Sequence, residues 1–132
     1  MISVLFVCTE NAFRSQMAEA FARMHAADVL QPESAGSEPS GSLDPLAVEL
    51  MRDRGYDLRT HRSKSLDAFA GAPRDLVILM GCGDACPWVP ARSREDWGLP
   101  SPHGMSMDDL RALRDEIERR VLDLAARLRK GA

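Results

Sequence analysis

The first fifteen residues restrict the possible folds more than any other stretch. Residues 2–7, Ile-Ser-Val-Leu-Phe-Val, are a short apolar run rich in β-branched side chains, the composition of a buried strand. The run reaches Cys8, and after Thr9-Glu10-Asn11-Ala12-Phe13 come Arg14 and Ser15. Met17, Phe21 and Met24 then recur at helical spacing, which predicts an amphipathic helix continuing to Ala27. Cys8 therefore sits where a strand hands over to a helix. Backbone N–H groups of such a turn point inward, and the helix adds the positive end of its dipole, which makes a cradle for a tetrahedral oxyanion. The same field, helped by the Arg14 guanidinium, favours thiolate over thiol and activates the sulfur as a nucleophile. Arg14 can also hold two anion oxygens in a planar fork. A cysteine behind a buried strand is commonly a small core residue. The Cys-to-Arg spacing, the Asn between them and the Ser that follows argue for chemistry instead. The predicted anion-binding set is Thr9, Glu10, Asn11, Ala12, Phe13, Arg14 and Ser15, with Cys8 as nucleophile.

The run Cys8-Thr9-Glu10-Asn11-Ala12-Phe13-Arg14-Ser15 resembles the oxyanion loop of the low-molecular-weight protein tyrosine phosphatases and of the arsenate reductases built on the same fold. Ser34-Ala35-Gly36-Ser37-Glu38-Pro39 and the stretch 44–58, DPLAVELMRDRGYDL, are similar to the arsenate-reductase branch. The resemblance implies a three-layer α/β sandwich with a central four-stranded parallel sheet, and arsenate or a phosphate-like oxyanion as the bound species.

Bulk properties bound the partners. A chain of 132 residues suits one domain, residues 1–132, with a core that needs no staples. A formal charge of -3 and a pI near 5.6 argue against a nucleic-acid surface. The start runs directly into a strand rather than a charged leader, and no apolar stretch approaches a membrane span. A cytoplasmic monomer with no membrane or nucleic-acid partner is expected. Three cysteines in a reducing compartment read as chemistry rather than as a framework.

Farther along, Ser15 is predicted to cap the first helix, with Glu19 in its early turns. Glu33–Gly36 reads as the end of a second strand, and Ser37–Leu43 as a loop. Asp44-Pro45 is a cap and first-turn pair for a helix over 45–54 that Gly55 would stop. Residues 74–80, RDLVILM, form a near-continuous apolar run of the kind a parallel sheet buries on both faces. Alternating strands and helices predict an α/β sheet, whose active sites gather at the carboxyl ends of strands. From Ser106 a long helix is expected, capped by Ser106 and carrying a core stripe of Leu110, Leu113, Ile117, Val121, Leu124 and Leu128. Its arginines read as a solvated face.

Gly81-Cys82-Gly83-Asp84-Ala85-Cys86-Pro87 follows the third strand. Zinc ligation is one reading, but only one ligand pair is present. Burial of both cysteines is a second. Redox exchange is the third and is favoured, because cysteines four positions apart reach disulfide distance, about 4.4–6.8 Å between Cα atoms, and the flanking glycines let the backbone adjust. Resemblance to the thioredoxin-coupled arsenate reductases implies a relay over Cys8, Cys82 and Cys86. GCGDACP followed by REDWGLP is also similar to the branch that uses a low-molecular-weight thiol with a glutaredoxin-like partner. The reductant is therefore thioredoxin or a thiol/glutaredoxin-like system. No cofactor and no metal are expected.

Two departures from the family pattern matter. In these families an Asp directly before a Pro serves as general acid, whereas here Ser101 precedes Pro102. His103 is the best substitute proton donor by position, although a solvent-exposed loop histidine is the commoner reading; Asp96 and Glu95 are alternatives, but Arg94-Glu95-Asp96-Trp97 resembles a structural segment of the family, with Trp97 packing under the loop. The weakened acid favours reduction over phosphate-ester hydrolysis. The second departure is Glu10 with Phe13 inside the loop, where Glu10 could weaken anion binding. In some reductases of the family potassium supports the loop through oxygens that match Asn11, Glu19 and Ser34. Lys64 could place its ammonium there, which predicts no potassium dependence. The rival functions are a phosphatase for aryl phosphates or phosphotyrosine, and a weakly active oxyanion- or redox-sensing module.

Overall fold

A computed structural model of the chain describes residues 1–69, 73–81 and 90–131. Strands β1 (Ile2–Cys8), β2 (Leu30–Gly36), β3 (Arg74–Leu79) and β4 (Ala91–Asp96) form one parallel sheet in the order β2-β1-β3-β4. Helices α1 (Arg14–His25), α2 (Pro45–Arg52) and α3 (Met107–Lys130) accompany it, with short 3₁₀ turns at Leu58–Thr60 and Leu66–Phe69. Among the described residues no helix is long and apolar enough to cross a membrane.

β1 lies inside the sheet because it is apolar on both faces: Val4, Leu5, Phe6 and Val7 have no solvent exposure. Strand alternation sends Val4 and Phe6 to one face, where they share a core with Met17 and Phe21 of α1 and Ile117 and Leu124 of α3. Leu5 and Val7 face the other side with Ala35, Val77 and Phe69. The sheet is a middle layer covered on both faces, as the apolar runs require. Truncating Phe21 to Ala would remove a large, wholly buried ring from this core and cost about 3–5 kcal/mol.

Two of the three capping signals in the sequence operate as read. Asp44 Oδ1 accepts from the Leu46 amide at 2.9 Å, and Ser106 Oγ from the Asp109 amide at 3.1 Å. The α3 stripe is buried through Leu124, and Arg127 and Arg129 on its outer side pair with Glu95 and Asp28. β2 runs from Leu30 and ends at Gly36 as read, an edge strand that tolerates Pro32. Two elements differ from expectation. α2 ends at Arg52 rather than Arg54. β4 was not locatable in the sequence, because Ala-Arg-Ser-Arg-Glu-Asp is polar and mostly exposed and owes its strand form to hydrogen bonding with β3.

The strand order fixes where a ligand can bind. The chain steps from β1 to β2 on one side and then crosses back to β3 on the other, so the segments leaving the carboxyl ends of β1 and β3 diverge and open a crevice. Cys8 closes β1 at that crevice, and Gly81 stands just beyond β3.

Candidate active site

Between β1 and α1 the backbone makes a tight turn around the Cys8 sulfur. Asn11 adopts a left-handed conformation (φ 52°), one that Asn tolerates better than most residues. The turn brings the Asn11 N–H to 3.3 Å from Cys8 Sγ, which accepts it. Ser15 Oγ lies 2.8 Å from the same sulfur and itself accepts from Asn11 Nδ2 at 2.8 Å. Such contacts strengthen when the sulfur carries charge. Ser15 does not cap α1. The position before the helix is Phe13, which supplies no side-chain cap, while the Ser15 hydroxyl is turned to the thiol inside the first helical turn.

The 37–44 loop belts the turn from outside. Amides of Ser37, Glu38, Ser40 and Asp44 donate to the carbonyls of Cys8, Thr9, Glu10 and Ala12 at 2.8–3.3 Å. Occupying those carbonyls on the outer side favours inward-facing amides, the requirement for an anion cradle. Gly36 is pressed against the same turn: a Cβ there would lie 2.6 Å from Thr9 O. Sequence alone gave no sign of this belt, since Ser, Gly and Pro in a loop carry no pattern.

Arg14 is buried, and its Nη1 donates to Met80 O at 3.2 Å and Leu99 O at 3.1 Å. The guanidinium is thereby tied to the chain leaving β3 and to the segment beyond β4. Gly81 has φ +107°, and a Cβ on it would lie 2.0 Å from Leu99 O, the carbonyl that also holds Arg14.

These groups enclose a cavity of about 300 Å³. Cys8, Thr9, Glu10, Ala12, Phe13 and Arg14 line it from the turn, and Asp44, Gly81, Ser101, Pro102 and His103 from opposite. Of the predicted anion-binding residues, Asn11 and Ser15 are instead fully buried behind the turn, where they support it. Ser101 and His103 reach the cavity as expected, and Ser101 Oγ accepts the His103 amide at 3.3 Å. His103 Nε2 stands 4.0 Å from Glu10 Oε1, so the two exposed side chains face each other across the mouth. Asp44 is a carboxylate on the cavity wall that sequence reading assigned only to capping. Trp97 packs beneath the sheet against Phe6, with ring centroids 5.9 Å apart. Cys82 and Cys86 lie outside the described residues.

Behind the turn is a polar cluster around the buried Glu19. Ser34 Oγ donates to Glu19 Oε1 at 2.6 Å, and Arg23 Nε to Glu19 Oε2 at 3.0 Å. Lys64 Nζ stands 3.6 Å from Glu19 Oε1, while the Lys64 amide donates to Asn11 Oδ1 at 2.7 Å. The four residues read as loop supports, Asn11, Glu19, Ser34 and Lys64, thus converge behind the turn. His61, 3.6 Å from Glu19, joins them without having been singled out. Burial holds its imidazole below the ordinary range, Arg23 and Lys64 act in the same sense, and Glu19 opposes them.

The cavity at the end of β1 is thus lined by Cys8 and by Arg14, the first residue of the following helix. The profile of the low molecular weight phosphotyrosine protein phosphatase family matches residues 3–132. The chain belongs to this family. Among its relatives, a glutaredoxin arsenate reductase from Synechocystis sp. is 37% identical over 131 residues, which cover 97% of this chain and 99% of that protein. A solved arsenate reductase in the phosphate-binding state superposes with a TM-score of 0.86 at 37% identity, covering 97% of this chain and 99% of that one. A thioredoxin-dependent arsenate reductase from Corynebacterium glutamicum superposes with a TM-score of 0.82 at 33% identity, with all of this chain matched to 64% of that one.

Proposed function

We propose that this family member is an arsenate reductase that converts arsenate to arsenite. Arsenate enters the cavity, the Cys8 thiolate forms a bond to arsenic, and an arsenate oxygen leaves as water, giving a thiol–arsenate adduct held by the loop amides and Arg14. Cys82 then attacks the Cys8 sulfur. A Cys8–Cys82 disulfide forms, the sulfur–arsenic bond breaks with its electron pair passing to arsenic, and arsenite departs. Attack of the Cys86 thiolate on Cys82 frees Cys8 and leaves a Cys82–Cys86 disulfide for thioredoxin or a thiol/glutaredoxin-like system to reduce.

One observation carries this reading. Gly81 lines the same cavity as Cys8 and Arg14, and Cys82 is the next residue of the chain. A hydrolase has no use for a second thiol following its nucleophile's cavity, and Ser101 is a poor proton donor to an ester leaving group. The similarity to arsenate reductases along nearly the whole chain supports the same assignment. Residues 1–132 are taken as a single domain in this proposal.

The test is arsenate-dependent oxidation of a dithiol, coupled to mass spectrometry of the bonded cysteine pairs. A Cys8–Cys82 pair should accumulate in Cys86→Ser and a Cys82–Cys86 pair in the wild type. Full turnover of both Cys82→Ser and Cys86→Ser with a small thiol would remove the relay. Hydrolysis of an aryl phosphate without thiol, and no arsenite, would make the protein a phosphatase.

A further inference from the structure

We infer that Glu10 is a specificity-determining residue: its carboxylate admits tetrahedral oxyanions that still carry a hydrogen, as arsenate and phosphate do, and turns away those that carry none, such as sulfate and phosphate esters. The inference rests on the proposed function and deepens it by naming the class of ion that the same cavity accepts.

A cavity built for an anion should present donors. Arg14 does so: Nη1 is spent on Met80 O and Leu99 O, and the rest of the guanidinium makes no other hydrogen bond among the described residues. Two carboxylates, Glu10 and Asp44, nonetheless line the same cavity. A carboxylate only accepts, so toward an anion without a hydrogen it contributes repulsion alone. A hydroxyl on the anion turns that contact into a charge-assisted hydrogen bond. The Thr9 and Ser101 hydroxyls, also on the wall, donate or accept and so discriminate nothing.

The two carboxylates are not equivalent. Asp44 Oδ1 accepts from the Leu46 amide at 2.9 Å, and the residue caps α2, where the helix dipole offsets its charge. Glu10 is fixed through its main chain instead, with its carbonyl accepting from the Ser40 amide at 3.1 Å and from Ser63 Oγ at 3.0 Å. Its side chain makes no hydrogen bond among the described residues. His103 Nε2 stands 4.0 Å away across the mouth, beyond hydrogen-bond distance, so the carboxylate keeps its accepting capacity. Cys8 is only 3% exposed, whereas the Glu10 side chain is 50% exposed. The sulfur therefore forms the floor and Glu10 the rim. An ion on its way to Cys8 passes the carboxylate, and its hydroxyl is turned to the rim while Arg14 takes the bare oxygens. In a phosphate ester the substituent replaces that hydrogen, and nothing is left to donate.

Calorimetric titration of the full chain with phosphate, sulfate and methyl phosphate at constant ionic strength tests this. At about pH 8 the three ions carry close to two negative charges, since the second ionisation of a phosphate ester lies near 6, and only phosphate keeps a hydrogen. Sulfate is smaller than phosphate and methyl phosphate larger, so size cannot mimic the result. Phosphate should bind about tenfold more tightly than either. In Glu10→Gln, whose amide both donates and accepts, sulfate and methyl phosphate should gain about tenfold while phosphate changes less than about threefold. The same ranking should appear in the protection of Cys8 from iodoacetamide, followed peptide by peptide by mass spectrometry. Equal binding of the three ions by the wild type, or an unchanged ratio in Glu10→Gln, would overturn the inference. So would a preference lost in Asp44→Asn, which still caps α2, and kept in Glu10→Gln. None of these readouts involves turnover. Discrimination that depends on Glu10 in a protein forming no arsenite would leave the selector standing for phosphate and remove the arsenate reading, whereas arsenite formation without discrimination would remove the inference alone.

Discussion

Gly36→Ala is the sharpest probe of the anion cradle, because it perturbs the turn without replacing any cavity residue. The added Cβ would stand 2.6 Å from Thr9 O, 2.9 Å from Asn11 N and 3.0 Å from Asn11 Cβ. Two of those atoms are backbone, so no side chain can rotate away. Restoring ordinary contact with Thr9 O requires a displacement of about 0.8 Å. Gly36 is itself held, with its amide donating to Lys64 O at 2.8 Å, so much of the shift falls on Thr9–Asn11. Overpacking of this size costs about 1–3 kcal/mol, and 2 kcal/mol corresponds to roughly 7 °C in Tm for a chain of this length. The functional loss should be larger. A reacting group misplaced by about 1 Å can lose roughly 10²-fold in rate, and the Asn11 amide would leave Cys8 Sγ. Thermal unfolding, phosphate binding by calorimetry and arsenate-dependent dithiol oxidation measure the three effects. Gly41→Ala is the control. Gly41 also has a positive φ, +83°, but nothing lies within 4 Å of its added Cβ. It should cost about 1 kcal/mol through backbone strain alone and leave phosphate affinity intact. Wild-type phosphate affinity and turnover in Gly36→Ala, or equal losses in both variants, would refute the reasoning.

Ser101→Asp should install the missing proton donor on the cavity wall and raise hydrolysis of a chromogenic aryl phosphate by about 10²–10⁴-fold, measured without thiol; no gain would show that position 101 does not reach the leaving oxygen. Lys64 Nζ, 3.6 Å from Glu19, should make potassium redundant. Exchanging sodium for potassium at constant ionic strength should leave wild-type Tm and turnover unchanged and raise both in Lys64→Ala. His61 should also contribute a pH dependence of stability. Its folded pKa is depressed, chiefly by burial, with Arg23 and Lys64 adding to the effect, Glu19 opposing it and Tyr56 bonded to the far nitrogen. Below about 6.5 the unfolded chain therefore binds a proton that the folded chain refuses. Stability is complete above that value and falls as the pH drops toward the folded pKa. Denaturant titrations between about pH 7.5 and 5.5 should show a flatter profile for His61→Asn than for the wild type; parallel profiles would contradict this.

Much of the chemistry is local and could be read from the residues in order. An apolar run ending in Cys8, an Arg at the start of the next helix, and caps at Asp44 and Ser106 are short-range patterns in which neighbouring residues dictate the local structure. The α/β class followed for the same reason, since β1 and β3 must be buried on both faces. Strand β4 could not be located, because an edge strand of polar residues is specified by its hydrogen-bonding partner and not by its own composition. The belt of amides from the 37–44 loop, the wedge of Gly36 against Thr9 and the tie of Arg14 to Leu99 join residues far apart in the chain. Main-chain amides and carbonyls carry no residue identity, so such contacts leave no trace in the sequence. His61 illustrates the same limit among side chains: ordinary in order along the chain, it meets Glu19 and Gln16 only when packing brings the segment after α2 against α1. The sequence determined which atoms could react, and only the tertiary structure decided which groups aim and hold them.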